Sequence, residues 1–211
     1  MKWEELLEIV GDEPVFDSSV LMAGRSRPEN VRQQLSRWVR NGRLVQLRRR
    51  IYALARPYRK VEPHPFYVAN KLRQPSYVSL QSALAFYGMI PEGVPVTSSV
   101  TTGRPESLST GLGRYHFRHL KTDLFFGYVE TRVSGGLPVF LSTREKALLD
   151  LLYLTPGSDQ PSYLKELRLE TGENFKWDTA EGYAERVKSR KLFRALERLE
   201  NLQAQEIWAT L

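Results

Sequence analysis

The sequence predicts an α+β protein in two parts, on three observations. Within the first sixty residues, apolar positions recur first at helical spacing and then at the spacing of a β-hairpin. A stretch rich in proline and charge, Arg56-Pro57-Tyr58-Arg59-Lys60 to Pro63-His64-Pro65, then reads as a linker. Beyond it, short helical and β-rich stretches intermix before a helical tail. The expected domains are residues 1–60 and residues 61–211, the second a mixed α/β unit.

Trp3, Leu6, Leu7 and Val10 follow the i, i+3, i+4, i+7 pattern of an amphipathic helix, which Gly11 ends. Asp17 or Ser18 caps a short second helix running to about Ala23, and Gly24 breaks it. Ser26-Arg27-Pro28-Glu29 supplies an N-cap, a first-turn proline and a first-turn acid for a third helix, which runs to about Asn41 before Gly42. On that helix Val31, Leu35, Trp38 and Val39 share one face. Glu29, Asn30, Gln33, Ser36, Arg37 and Arg40 share the opposite arc, with Arg32 at its flank. Leu44–Leu47 and Ile51–Leu54 read as two strands, with Arg48-Arg49-Arg50 as the turn. Three helices followed by a hairpin with a basic tip is the order of a winged helix-turn-helix, a design in which the third helix enters the major groove of DNA.

In the second part, Pro65–Leu72 and Leu80–Tyr87 read as helices, and Tyr77–Ser79 as a short strand. Val94–Thr102, Arg114–Leu120, Leu124–Val133 and Leu137–Leu141 are β-rich, the last two joined by Ser134-Gly135-Gly136. The stretch from Thr102 to Gly113 reads as a long loop. Ser142-Thr143-Arg144-Glu145 matches a capping box, opening a helix that buries Ala147, Leu148, Leu151 and Leu152. A last amphipathic stripe runs through Leu192, Phe193, Leu196, Leu199 and Leu202.

Composition removes several classes of function. The chain has 211 residues, 41% hydrophobic and 26% charged, close to globular averages. It has no cysteine, which excludes disulfides, thiolate metal sites and a thiol nucleophile. No apolar run approaches the ~18 residues of a membrane span, and the acids in Met1-Lys2-Trp3-Glu4-Glu5 are unlike a signal peptide. The expected setting is cytoplasmic, with no membrane partner.

The charge is unevenly placed. Residues 1–24 carry one base and six acids, whereas residues 25–60 carry twelve bases, eleven of them Arg, and one acid, Glu29. The remaining residues are almost balanced, with 18 bases and 17 acids. So unmixed a run repels itself unless an anionic partner is present. Nucleic acid is the leading partner, ahead of an acidic protein or anionic lipid, because the arginine fork suits phosphate and guanine edges. Asn30, Gln33 and Arg37 share one stripe and are the side chains expected to read bases. Arg25, Arg27, Arg32, Arg48, Arg49 and Arg50 are expected to neutralise phosphate, with Arg40 on the same arc as the readers.

The other constellations have plainer readings. His116 and His119 are three apart, the wrong parity for one face of a strand, so no metal site is expected. Asp123, Glu130 and Arg132 only echo a nuclease motif, with Arg where Lys is usual. Lys146 and Asp150 read as an ordinary helical ion pair. The run Arg186, Lys188, Arg190, Lys191, Arg194 is mixed with acids and reads as a solvated face.

Four stretches carry a family resemblance: the hairpin Leu47-Arg48-Arg49-Arg50-Ile51-Tyr52-Ala53, the segment Tyr77–Gly88, Thr101-Thr102 followed by Arg104, and Ser142–Asp150. Over residues 1 to about 155 the chain resembles the AbiEi-type antitoxins, the regulator half of a two-gene toxin–antitoxin module. The resemblance implies a winged helix that binds inverted repeats in the operon's own promoter. It also implies a C-terminal domain that antagonises a nucleotidyltransferase-like toxin, without need of a stable complex, a cofactor or catalysis. The expected function is therefore a DNA-binding autorepressor and antitoxin. The competing readings are a DNA-acting enzyme with a degenerate endonuclease-like C-terminal domain, and an RNA-binding or general chromatin-like protein.

Overall fold

The computed structural model describes residues 1–22, 28–91 and 93–210, with side chains through Ala204 other than that of Pro28. Helix α1 (Trp3–Val10) buries Trp3, Leu6 and Val10 and stops at Gly11, whose φ of 61° suits a residue without Cβ. Strand β1 (Val15–Asp17) follows, then helix α2 (Ser19–Met22). An Asp17 carboxylate oxygen starts α2 by accepting the Ser19 N–H at 2.7 Å. Helix α3 (Pro28–Arg40) leads into β2 (Leu44–Arg48) and β3 (Ile51–Leu54). These strands form an antiparallel sheet in the order β1-β3-β2. The helices and hairpin stand where expected. Strand β1 was not anticipated, since three residues are too few to display a period.

The second part runs α4 (Pro65–Leu72), β4 (Ser76–Val78), α5 (Leu80–Phe86), β5 (Val96–Thr101), β6 (Glu106–Thr110), β7 (Gly113–His119), β8 (Tyr128–Arg132), β9 (Pro138–Ser142), α6 (Arg144–Leu154), α7 (Pro161–Glu166), α8 (Trp177–Val187) and α9 (Arg190–Thr210). Its sheet has the order β6-β7-β5-β4-β9-β8. The pairs β4/β9 and β5/β7 are parallel and the others antiparallel, so the chain is mixed α/β. All three residues of β4 are buried, so this central strand has no solvent-facing side.

Three local expectations need correction. The loop expected between Thr102 and Gly113 contains β6, an edge strand whose only large apolar residue is Leu108, too weak a pattern to read. The strand expected from Leu124 begins at Tyr128, after a 3-10 turn over Thr122–Leu124. The cap of α6 is Thr143 rather than Ser142, with its hydroxyl accepting the Lys146 N–H at 3.3 Å. Glu145 takes no part in that cap. It accepts the Lys176 N–H at 3.1 Å instead.

The β1-β3-β2 sheet divides its side chains between two cores by simple alternation. Phe16, Leu44 and Leu54 join Trp3, Leu6, Leu35 and Trp38 of the helices. Val15, Leu47, Ile51 and Ala53 face the other way, into the core of the second part. Residues 1–60 and 61–211 thus share an apolar boundary rather than being joined only through a linker.

The pair Lys146–Asp150 is not a surface pair. Both side chains are almost fully buried, at 3% and 2% exposure. Lys146 bonds Asp150 directly and reaches the Tyr77 hydroxyl at 3.0 Å. The other Asp150 oxygen accepts from the Tyr77 hydroxyl at 3.0 Å and from Ser79 at 2.8 Å. Burial pushes the Asp150 carboxyl up and the Lys146 ammonium down, and the contact between them opposes both shifts. This network ties β4 to α6. Breaking a buried pair leaves one charge unmatched, at ~3–5 kcal/mol, whereas replacing both partners with apolar groups is often neutral. Lys146→Met is therefore expected to lower unfolding free energy in urea by ~3–5 kcal/mol. Adding Asp150→Leu leaves the buried Tyr77 and Ser79 hydroxyls without their acceptor, so recovery is expected only when Tyr77→Phe and Ser79→Ala accompany it. A loss under ~1 kcal/mol for the single variant would contradict the assignment.

Candidate nucleic-acid interface

Helix α3 is polarised by its contacts. Val31, Leu35 and Trp38 are buried, and Trp38 meets the Trp3 ring edge-on at 5.1 Å. Pinning that face turns the other outward: Glu29, Asn30, Arg32, Gln33, Ser36, Arg37 and Arg40 are all exposed. Arg32, Arg37 and Arg40 make no ion pair among the described residues. Arg25 and Arg27, both expected to contact phosphate, lie outside the described residues.

The three arginines at the hairpin tip differ from one another. Arg48 turns inward, donating to the Leu72 carbonyl at 2.8 Å and pairing with Glu106 at 3.3 Å. Glu106 also meets Arg73 at 3.4 Å, so two guanidiniums share one carboxylate between the hairpin and β6. Arg50 pairs with Asp17 at 3.3 Å and has φ 74°. Partial burial would raise the Asp17 carboxyl, but the Ser19 hydrogen bonds and the Arg50 charge outweigh it, leaving it below the usual carboxylate value. Arg49 is exposed and has no partner among the described residues. The expected arc on α3 is thus exposed, as are Arg49 and Arg50, while Arg48 is engaged inside the protein. Its role could not be told from Arg49's by sequence, because it depends on contacts some twenty-four and fifty-eight residues away.

Other candidates disperse. Asp123 lies in the 3-10 turn ahead of β8, Glu130 is exposed on β8, and Arg132 donates to the Gly136 carbonyl at 2.8 Å. Among the described residues no three His, Asp or Glu are grouped to hold a metal. The basic run near the C-terminus is not simply a solvated face. Lys191 donates to the Tyr153 and Thr155 carbonyls at 2.9 and 3.0 Å, closing the end of α6. Arg194 pairs with Asp159 at 2.8 Å, and Arg186 lies 3.8 Å over the Phe126 ring. His64 caps α4, its Nδ1 accepting the Phe66 N–H at 3.2 Å, and His119 Nδ1 lies 2.9 Å from the Gly103 carbonyl.

No family model matches the chain, and no curated protein matches it.

Arg48→Met is expected to cost ~1–2 kcal/mol in chemical denaturation, from the Leu72 bond and the Glu106 pair, and Arg49→Met less than ~0.5 kcal/mol. Equal effects would contradict their different settings. Burial lowers the His64 pKa, so its contribution to stability is full above the unfolded value of ~6.5 and declines as pH falls through it. His64→Asn keeps a capping oxygen and does not titrate. It should flatten the change in Tm between about pH 7.5 and 5.5, and an unchanged slope would exclude His64 as a contributor.

Proposed function

We propose that this protein is a DNA-binding transcriptional repressor whose first sixty residues form a winged helix-turn-helix, with α3 as the groove-reading helix. The observation that carries this reading is the outer face of α3, where three unpaired arginines stand with Asn30 and Gln33 opposite a buried Val31-Leu35-Trp38 seam. The order α1-β1-α2-α3-β2-β3 with sheet order β1-β3-β2 supports it. So does the excess of arginine over residues 25–60. Asn30, Gln33 and Arg37 have the chemistry to pair with adenine and guanine edges. Arg32, Arg40, Arg49 and Arg50 have the placement to neutralise phosphate. Arg48 belongs to the scaffold of the hairpin.

Repression on this account is steric, by occupying promoter DNA and excluding polymerase. The antitoxin role, against a nucleotidyltransferase-like toxin and without a cofactor, rests on the resemblance to the AbiEi-type antitoxins. Because the sheet's outer face belongs to the second core, point variants on α3 separate the two roles more cleanly than deletion of residues 1–60.

Affinity for a duplex of the chain's own promoter should fall by ~10³ or more between 50 and 200 mM salt if about six phosphates are neutralised. Arg37→Ala should cost ~1–3 kcal/mol on the cognate duplex and much less on an unrelated one. Arg49→Ala should weaken both alike and reduce the salt slope by about one. Fluorescence anisotropy measures all three. A salt slope near zero, or equal losses for Arg37→Ala on both duplexes, would contradict the reading.

A further inference from the structure

We propose that the protein binds a planar aromatic cation in a cavity between α4, the β8–β9 hairpin and the segment after α1. The cavity measures about 790 Å³, within the ~300–1,000 Å³ of small-molecule sites. It is independent of the α3 face and shares no residue with it.

Three features specify the ligand. The first is an aromatic wall. Tyr128 stacks on Tyr77 with centroids 4.6 Å apart and meets Phe140 edge-on at 5.9 Å. Both Tyr128 and Phe140 line the cavity and remain 36% and 45% exposed, large rings left uncovered in a concave site.

The second is an unmatched donor. Asn70, also on the lining, is only 8% exposed. Its Oδ1 accepts the Phe140 N–H at 2.7 Å, which fixes the amide orientation. Its Nδ2 is buried without a hydrogen-bond partner. A buried donor left unpaired costs ~1–3 kcal/mol, and because this atom is covered in the structure, a ligand acceptor meets it only after the Asn70 side chain or a neighbour shifts.

The third is charge. Asp12, Glu13 and Glu130 line the cavity against one ammonium, Lys71. Asp12 pairs with Lys60 at 2.8 Å and Glu13 with Lys71 at 3.1 Å. With those two carboxylates matched, Glu130 is the lining charge left without an ion pair among the described residues. The cavity's rings and free carboxylate select a cation. A bound ligand would lay its ring against Tyr128 and Phe140, offer an acceptor to Asn70 and present its cationic group to Glu130.

The test is isothermal titration of the full chain with 4-(aminomethyl)quinoline, and with quinoline-4-carboxylate as the charge-reversed control. The amine should bind one-to-one and at least about tenfold tighter than the carboxylate. Glu130→Gln should remove that preference. Phe140→Ala, at an exposed position, should weaken binding of the amine about tenfold without lowering Tm. Absence of saturable amine binding at about 1 mM would overturn the proposal, as would equal binding of the carboxylate or a preference that survives Glu130→Gln.

Discussion

A three-stranded sheet with both faces buried governs the first sixty residues. Successive side chains of a strand point to opposite sides. On β3, Ile51 and Ala53 therefore enter one core, and Tyr52 and Leu54 lie on the side of the other. The same parity sends Val15 one way and Phe16 the other on β1. A one-residue slip would send each set into the core built for the other, so the register is held from two sides at once. Helix α3 closes one core with Val31, Leu35 and Trp38, and so its arginine-bearing arc has only solvent to face. The outward charge of α3 is thus a consequence of inward packing.

Polar contacts lock this assembly at two points. At the hairpin tip, Arg48 and Arg73 share Glu106, which fastens β2 to the edge strand β6. Deeper, Lys146 and Asp150 join α6 to Tyr77 and Ser79 around the central strand β4. Gly127 belongs to that arrangement. A Cβ there would come within 2.9 Å of the Lys146 side chain, and its φ of 71° favours glycine in any case. Positive charge in this protein therefore serves two ends: some cations are bound into the scaffold, and those on α3 and at Arg49 are left open.

Much of this was legible in the sequence. The helical periods of α1, α3 and α6, and the alternation across β2 and β3, were long enough to read. The exposed arc of α3 followed directly from its buried stripe. What escaped was short, weakly patterned or non-local. Strand β1 has three residues, and β6 is an edge strand of mostly polar ones. Lys146 and Asp150 stand four apart like any surface pair, and only the burial of α6 on both sides makes them interior. Arg48 is identical in sequence to its neighbours Arg49 and Arg50, and its different role is set by Leu72 and Glu106. The cavity beside Asn70 draws on four separate stretches of chain, so no local motif announces it.

On the proposed function, the outward face of α3 and the hairpin tip meet double-stranded DNA. The most direct test is amide hydrogen exchange of the full chain with and without a duplex of its own promoter. The account predicts added protection confined to residues 28–40 and the turn at Arg49-Arg50, with the β8–β9 hairpin and α6 to α9 unchanged. Protection centred on the second sheet or the C-terminal helices, with α3 exchanging as in the free protein, would contradict it.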